Sequence, residues 1–419
     1  MTFHLARGYV GTNKSVDQSS VKYSFGGSAM FYAGIDVAMD KHDCVVLDSD
    51  GDVVVEVFTF ENSRNGFKSL KKVLRSCSKN PKKIKVGLES TGHYSDNLLA
   101  FLNSIGYAPV LFNPLHTNLF RKGLSLRKTK TDHVDAHTIA TMLRTEDLKS
   151  YSQQSYHLSE LKSLTRYRST LVFDCSRHKI SLVRLCQILF PELKTLVPSL
   201  HMNSVYTLLS ELPSADKIAK CNLTHLTALL SSASKGHYGR DKAVEIRDTA
   251  RASIGIKSVV KELELQQTIE LIQIYQQQIE AVEEQINNLM DEIDSPITSI
   301  PGIANRMAAV ILAETNNFQD FERAEQVLAF AGLEPSVYQS GQLTSTHSKM
   351  VKRGSKYLRF AIFNATKYVC HWDPTFRAYL AKKRAEGKPY NVAVSHAAKK
   401  LTRVMFHLVK TNKEFVSQA

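Results

Sequence analysis

The stretch IKVGLESTGHY (residues 84–94) alternates apolar residues up to Leu88, then stops on a carboxylate, Glu89, ahead of a small polar turn. Ile84, Val86 and Leu88 at every second position read as a strand with a buried face. An acid ending such a strand needs a reason beyond packing. Outward from it, FYAGIDVA (31–38), DCVVLDSD (43–50), DVVVEVFTF (52–60) and YAPVLF (107–112) are short Val/Ile-rich runs bounded by Gly, Asp, Asn and Pro, the pattern of further strands. NGFKSLKKVLRSC (65–77) and SDNLLAFLNSIG (95–106) carry helical spacing, and another helix starts near Thr131. Three strands, then helix, strand, helix, strand, helix, predict a mixed sheet covered by helices.

The 419 residues suffice for two or three domains with ordinary cores. With 43% hydrophobic and 22% charged residues the chain is globular, and no apolar run reaches the roughly 18 residues of a membrane helix. Residues 1–30 are polar and rich in Gly and Ser, without the sections of a secretion signal, and read as a disordered tail with Met30 as the natural start. Six scattered cysteines without a CxxC pair argue against zinc or disulfides and for a reducing cytoplasm. A formal charge of +14 attracts polyanions through counterion release, which makes nucleic acid the leading partner. The charge is concentrated in KKVLRSCSKNPKKIK (71–85), RKGLSLRKTK (121–130), KMVKRGSKYLR (349–359) and KKRAEGK (382–388).

This divides the chain into an α/β domain at 31–150, a helical linker region at 151–256, a coiled coil at 257–294 and a mainly helical C-terminal domain at 295–410. The coiled coil rests on a heptad seam through Leu265, Thr268, Ile272, Tyr275, Ile279, Val282, Ile286, Leu289 and Ile293. An amphipathic helix packed inside its own domain is the other reading of that seam. The turn IPGI (300–303) before an apolar helix suits a helix-hairpin-helix, whose backbone amides contact phosphate.

Four acids stand out. Asp36 lies in the first strand, Glu89 ends the fourth, and Asp132 and Asp135 in KTDHVDAHTIA (130–140) sit three apart on one helix face. If the first and fourth strands are neighbours, the helix lays its acids over their ends. Carboxylates so gathered repel unless a cation holds them, and two Mg²⁺ ions about 3.5–4 Å apart would fit and clamp a scissile phosphate. Singly, Asp36 reads equally as a strand-end turn residue and Asp132 as a helix N-cap. Asp40, Asp43, Asp48 and Asp50 are assigned to hairpin turns, and His93, His133 and His137 to surface or capping roles.

The order Asp, Glu, Asp-x-x-Asp on this pattern resembles the RuvC branch of the RNase H-like fold. GIDVAMDKHD, ESTGHY, NPLHTNLFR and KTKTDHVDAHTIA, followed by IPGI, FAGLEP, SG and KRGSKYLR, resemble the DEDD transposases of the insertion-sequence 110 family, relatives of pilin-type DNA invertases. The resemblance implies an RNA-guided DNA recombinase with a Mg²⁺ site at Asp36, Glu89, Asp132 and Asp135, and a serine nucleophile at Ser340 in GLEPSVYQSGQL. It also implies a phosphoserine intermediate, donor and target DNA paired to a non-coding bridge RNA, and dimers or tetramers in a bacterial cytoplasm, nucleoid-associated when active. From the residues alone, a Ser-Gly pair is most often a turn, and Ser336, Ser345, Thr346 and Ser348 lie close by. Arg121, Lys128 and Lys130, and Lys352, Arg353, Lys356 and Arg359, read as phosphate contacts or as solvated basic faces. Three other classes stay open: a water-using RuvC-like nuclease, a retired nucleic-acid-binding protein, and an actin-like ATPase, for which no Gly-rich phosphate loop is visible.

Overall fold

Strand-forming runs and helical runs sort into two units in a computed structural model, which describes residues 30–89, 92–112, 114–124, 132–145, 156–334, 339–340, 343–344 and 350–417. The chain divides into Met1–Gln153 and Gln154–Ala419. The tail expected before Met30 lies outside the described residues.

The first unit runs β1 (Phe31–Val37), β2 (Lys41–Leu47), β3 (Val53–Glu61), α1 (Arg64–Cys77), β4 (Ile84–Glu89), α2 (Asp96–Ser104), β5 (Val110–Phe112), α3 (Pro114–Leu124) and α4 (Asp132–Thr145). The sheet order is β3-β2-β1-β4-β5. β2 is antiparallel to β1 and β3, whereas β4 is parallel to β1 and β5. This mixed five-stranded sheet fits an RNase H-like α/β domain. Helix α3 goes beyond the predicted order. Proline at its first position, where no backbone N–H is needed, starts it within NPLHTNLFR.

Alternation along each strand decides what the two faces bury. Ala33, Ile35, Cys44, Val46, Val86 and Leu88 face α1 and α2 through Leu70, Leu74, Leu98 and Leu102. The opposite face meets α4: Val45 and Leu47 pack on Ala136 and Ala140, and Val110 and Phe112 pack on Ile139, Met142 and Leu143. Two glycines seat that helix. A Cβ at Gly34 would stand 2.3 Å from the Ala136 oxygen and 2.4 Å from the Ala140 nitrogen, and one at Gly87 would stand 2.6 Å from Leu143 Cδ1. His42, on the α1 face, is wholly buried against Phe60 and Phe67, with ring centroids 5.2 and 6.3 Å away. Burial holds its imidazole below the ordinary 6.5, against opposing pulls from Asn62 and Asp43.

The second unit contains α5 (Tyr156–Leu189), α6 (Leu193–Leu196), α7 (Asn203–Glu211), α8 (Ala215–Lys220), α9 (Leu223–Ala233), α10 (Arg240–Arg251) and α11 (Val259–Ile293). It continues with α12 (Asn305–Thr315), α13 (Ala324–Ala331), β6 (Gln339–Ser340), β7 (Leu343–Thr344), α14 (Lys356–Trp372), α15 (Pro374–Ala385) and α16 (Tyr390–Thr411). Helices α5 and α11 run antiparallel, tied by Arg184 to Glu264 at 2.6 Å and by Arg168 to Glu283 at 2.7 Å. The heptad seam of α11 is therefore occupied within the chain. Leu265, Ile272, Val282 and Ile286 are buried in the two cores that α11 shares with α5.

The stretch expected as a linker builds a core of its own. Leu182, Leu185 and Leu189 of α5, Val205 and Leu209 of α7, Leu226 of α9, Ile246 of α10 and Ile269 of α11 all meet there. A second core gathers Met290 of α11 and residues of α12, α13, α14 and α16, among them Leu312, Val327, Ile362 and Leu401. Between α11 and α12 the chain makes a short 3-10 turn at Pro296–Ser299 ahead of the Pro-Gly turn. Among the described residues no helix is long and apolar enough to cross a membrane.

Seating α4 by the absence of a side chain has a measurable consequence. Gly34→Ala forces α4 off the sheet and destabilises the chain by at least about 1–3 kcal/mol, read as a lower urea midpoint by circular dichroism.

Candidate active site

The parallel pairing of β1 and β4 sets Ile35 beside Leu88. One residue further in that register, Asp36 stands level with Glu89, on neighbouring strands about 4.8 Å apart. By alternation both side chains share the face of Gly34 and Gly87, the face covered by α4. The direction of α4 follows from its other end. Arg144 reaches the Ser49 carbonyl at 3.4 Å, in the β2–β3 turn beyond Leu47, which pairs with Tyr32 near the start of β1. The N-terminus of α4, with Asp132 and Asp135, therefore points to the end of the sheet where Asp36 and Glu89 stand.

Asp132 opens α4, and its side chain lies outside the described residues, as do Lys128 and Lys130. Asp135 is largely buried and accepts a hydrogen bond from Arg121 Nη1 at 2.6 Å. Arg121 Nη2 donates to Asn118 Oδ1 at 3.1 Å. The guanidinium expected to grip phosphate is thus held by α3 and α4 against one of the four acids. The donor set consists of carboxylate oxygens, hard ligands suited to Mg²⁺. Among the described residues, no three acids, histidines or cysteines converge closely enough to hold a metal ion.

One acid was misread in the sequence. Asp43 does not belong to a hairpin turn: it lies inside β2, paired directly with Asp36, and accepts a hydrogen bond from the Thr59 hydroxyl of β3. Thr59, Asp43, Asp36 and Glu89 form a row across four strands on the α4 face. Asp48 is the turn residue expected, its Oδ1 accepting from the amides of Asp50, Gly51 and Asp52 at 3.0, 2.9 and 2.9 Å.

In the second unit, Ser340 ends β6, in a two-stranded hairpin with Leu343–Thr344. Its side chain lies outside the described residues, and so do Ser336, Ser345, Thr346, Ser348 and the side chain of His93. Backbone hydrogen bonds build the base from which this hairpin leaves. Val351 donates its amide to the Glu334 carbonyl at 3.0 Å, and Ser355 to the Phe330 carbonyl at 2.8 Å. FAGLEP and KMVKRGS are therefore bound to each other by their backbones. Lys352, Arg353 and Lys356 are exposed beside that base, with Lys356 Nζ 5.0 Å from the Tyr357 ring centre. Arg359 instead donates to the carbonyls of Ala331 and Lys352 at 3.0 and 3.1 Å, closing the base rather than facing solvent.

Beneath that base lies a group with no sequence signal. Glu314 of α12 is fully buried and accepts from Arg166 of α5 at 2.7 and 3.1 Å and from the Ser355 hydroxyl at 2.8 Å. Ser355 also caps α14 by accepting from the Leu358 amide at 3.1 Å. Burial alone would raise the Glu314 carboxyl, but the bonds from Arg166 and Ser355 outweigh it and hold the group below its ordinary 4.5.

Comparison with known proteins places this geometry. Residues 33–191 match the family model of IS110-type DEDD proteins, described as "Transposase", and residues 294–381 match the "Transposase IS116/IS110/IS902 family". The chain belongs to the IS110 family of transposases. It is 26% identical over 320 residues to the Insertion element IS110 uncharacterized 43.6 kDa protein of Streptomyces coelicolor, covering 71% of this chain and 76% of that one. It is 22% identical over 391 residues to the Pilin gene-inverting protein of Moraxella bovis, covering 92% of this chain and 97% of the relative. As a member of that family the chain is a DNA transposase or recombinase enzyme. The two matched segments of this transposase carry the acid row and the Ser340 hairpin respectively.

The Glu314 network sets the acid sensitivity of the second unit. A lowered folded pKa gives stability that is present above the ordinary 4.5 and lost as pH falls through the folded value. Glu314→Gln should flatten the fall in melting temperature below that pH in scanning calorimetry. Arg166→Ala should cost about 3 kcal/mol at neutral pH, the low end for a broken buried pair because Arg166 is half exposed.

Proposed function

We propose that the protein cuts and rejoins DNA strands by a serine nucleophile working with a divalent-metal carboxylate site. The reading is supported by the parallel register of β1 and β4, which pairs Ile35 with Leu88, the residues just before Asp36 and Glu89. Asp36, Glu89, Asp132 and Asp135 would hold the metal. Bound there, two Mg²⁺ ions would polarise the scissile phosphate and stabilise charge on the leaving oxygen. Arg121, now on Asp135, is placed to neutralise that acid when no cation does.

Ser340 Oγ attacks the phosphorus and loses its proton to solvent, while the bond from phosphorus to the departing sugar oxygen breaks and that oxygen takes up a proton. One phosphate ester replaces another, so no external energy source is needed. Attack on the phosphoserine by the sugar hydroxyl of a second strand reverses the step and joins new partners. Lys352, Arg353 and Lys356 would receive DNA phosphates beside the hairpin base. Guidance by a bridge RNA that pairs with donor and target DNA, and a dimer or tetramer in a bacterial cytoplasm, belong to this reading through the family resemblance. A pilin-inverting relative that matches nearly end to end supports strand exchange over simple cutting.

The test incubates the purified protein with labelled element-junction DNA, its candidate RNA and Mg²⁺, and looks for a protein–DNA adduct that survives denaturation. The expected result is an adduct abolished by Ser340→Ala and by Asp132→Ala. Free cleaved ends that Ser340→Ala leaves unchanged would contradict the proposal in favour of a water-using nuclease.

A further inference from the structure

On the sheet face away from α4, a cleft of about 580 Å³ opens between α1 and α2. That volume lies within the roughly 300–1,000 Å³ of sites that hold a small ligand. Phe67 of α1 and Phe101 of α2 line it, partly exposed, with ring centroids 5.1 Å apart and planes 36° apart. Arg64, Lys68 and Lys71 line it as well, at i, i+4 and i+7 along one side of α1. Among the described residues, these three cations form no ion pair with a carboxylate. The nearby Glu61 is engaged by the Ser63 hydroxyl at 3.3 Å.

The cleft is anchored at the acid-bearing end of the sheet. Asn62, on its wall, donates its amide to the Asp40 carbonyl at 2.8 Å and its side chain to the Met39 carbonyl at 3.0 Å. Met39 and Asp40 form the turn that leaves β1 just after Asp36. α1 and α2 both begin at this end, so their positive N-terminal dipoles converge on the cleft. Partly exposed aromatic rings, a stripe of free cations, side-chain amides and helix N-termini are together the chemistry of a nucleotide. The rings take the flat face of a base and the cations take the phosphodiester.

We infer that this cleft binds one nucleotide of a single nucleic-acid strand, its base against Phe67 and Phe101 and its phosphate on Arg64, Lys68 and Lys71. The inference rests on the proposed strand exchange, which must expose unpaired nucleotides near the acid row. It adds a grip that none of the four acids supplies.

The experiment measures anisotropy of labelled single strands, one DNA and one RNA of equal sequence, in EDTA so that no cleavage contributes. The same strands carrying 5-iodouracil are photo-cross-linked and the adducts mapped by mass spectrometry. Cross-links on the peptides containing Phe67 or Phe101 are expected. Lys68→Glu with Lys71→Glu should weaken binding about tenfold or more and reduce the dependence on salt. Phe101→Leu, which keeps the apolar volume, should weaken binding several-fold with the salt dependence unchanged. Tighter binding of DNA or of RNA identifies the source of the strand, and equal binding assigns the grip to both. Variants with wild-type melting temperature and wild-type binding, or cross-links confined to other peptides, would overturn the inference. Ser340→Ala should bind normally, which separates this result from the fate of the serine mechanism.

Discussion

The acid row proposed for the first unit depends on how closely α4 lies on the sheet. Backbone meets backbone at Gly34, where a single added carbon would fall 2.3 Å from the Ala136 oxygen. That approach lets the N-terminal turn of α4 come down over the ends of β1 and β4. Two strand acids and two helix acids then share one end of the sheet. Packing places the acids, but packing does not reconcile them. Like charges on paired strand positions oppose each other, and Asp43 across from Asp36 adds a third to the row. Hydrogen bonds from Thr59 and Arg121 relieve two members of the group, Asp43 and Asp135.

The second unit solves a different problem, which is to hold a short hairpin on a rigid base. Glu314, Arg166 and Ser355 join α12, α5 and the start of α14 in one buried polar contact. Backbone bonds from Val351 and Ser355 to Glu334 and Phe330 then close the loop on α13. A nucleophile needs to be brought to a phosphate and held there, and a hairpin sprung from such a base suits that demand. The unit's other core, around α7 to α10, lies along the far half of the α5–α11 pair.

The strands were legible because alternation survives in short Val/Ile runs, and Glu89 was legible because an acid interrupts one. Asp43 was not, since DKHDCVVLDSD offers several acids and only the register tells which one enters the sheet. The seam of α11 was read correctly as apolar, but periodicity does not say whose helix fills it. Glu314 sits in an apolar helix with its partner 148 residues away, a pairing no local pattern announces. The charge run at 71–85 drew attention to its own length, whereas the cleft uses Arg64, Lys68 and Lys71, spaced along a helix and set beside two rings.

The central proposal is that the acids at the α4 end of the sheet hold a divalent cation. The measurement that tests it most directly is the melting temperature of the purified protein with and without Mg²⁺, for wild type, Asp36→Asn and Glu89→Gln. The account predicts that Mg²⁺ raises the wild-type value and that each variant gains little from it. A wild-type value that Mg²⁺ leaves unchanged, or variants that respond to Mg²⁺ as wild type does, would contradict it.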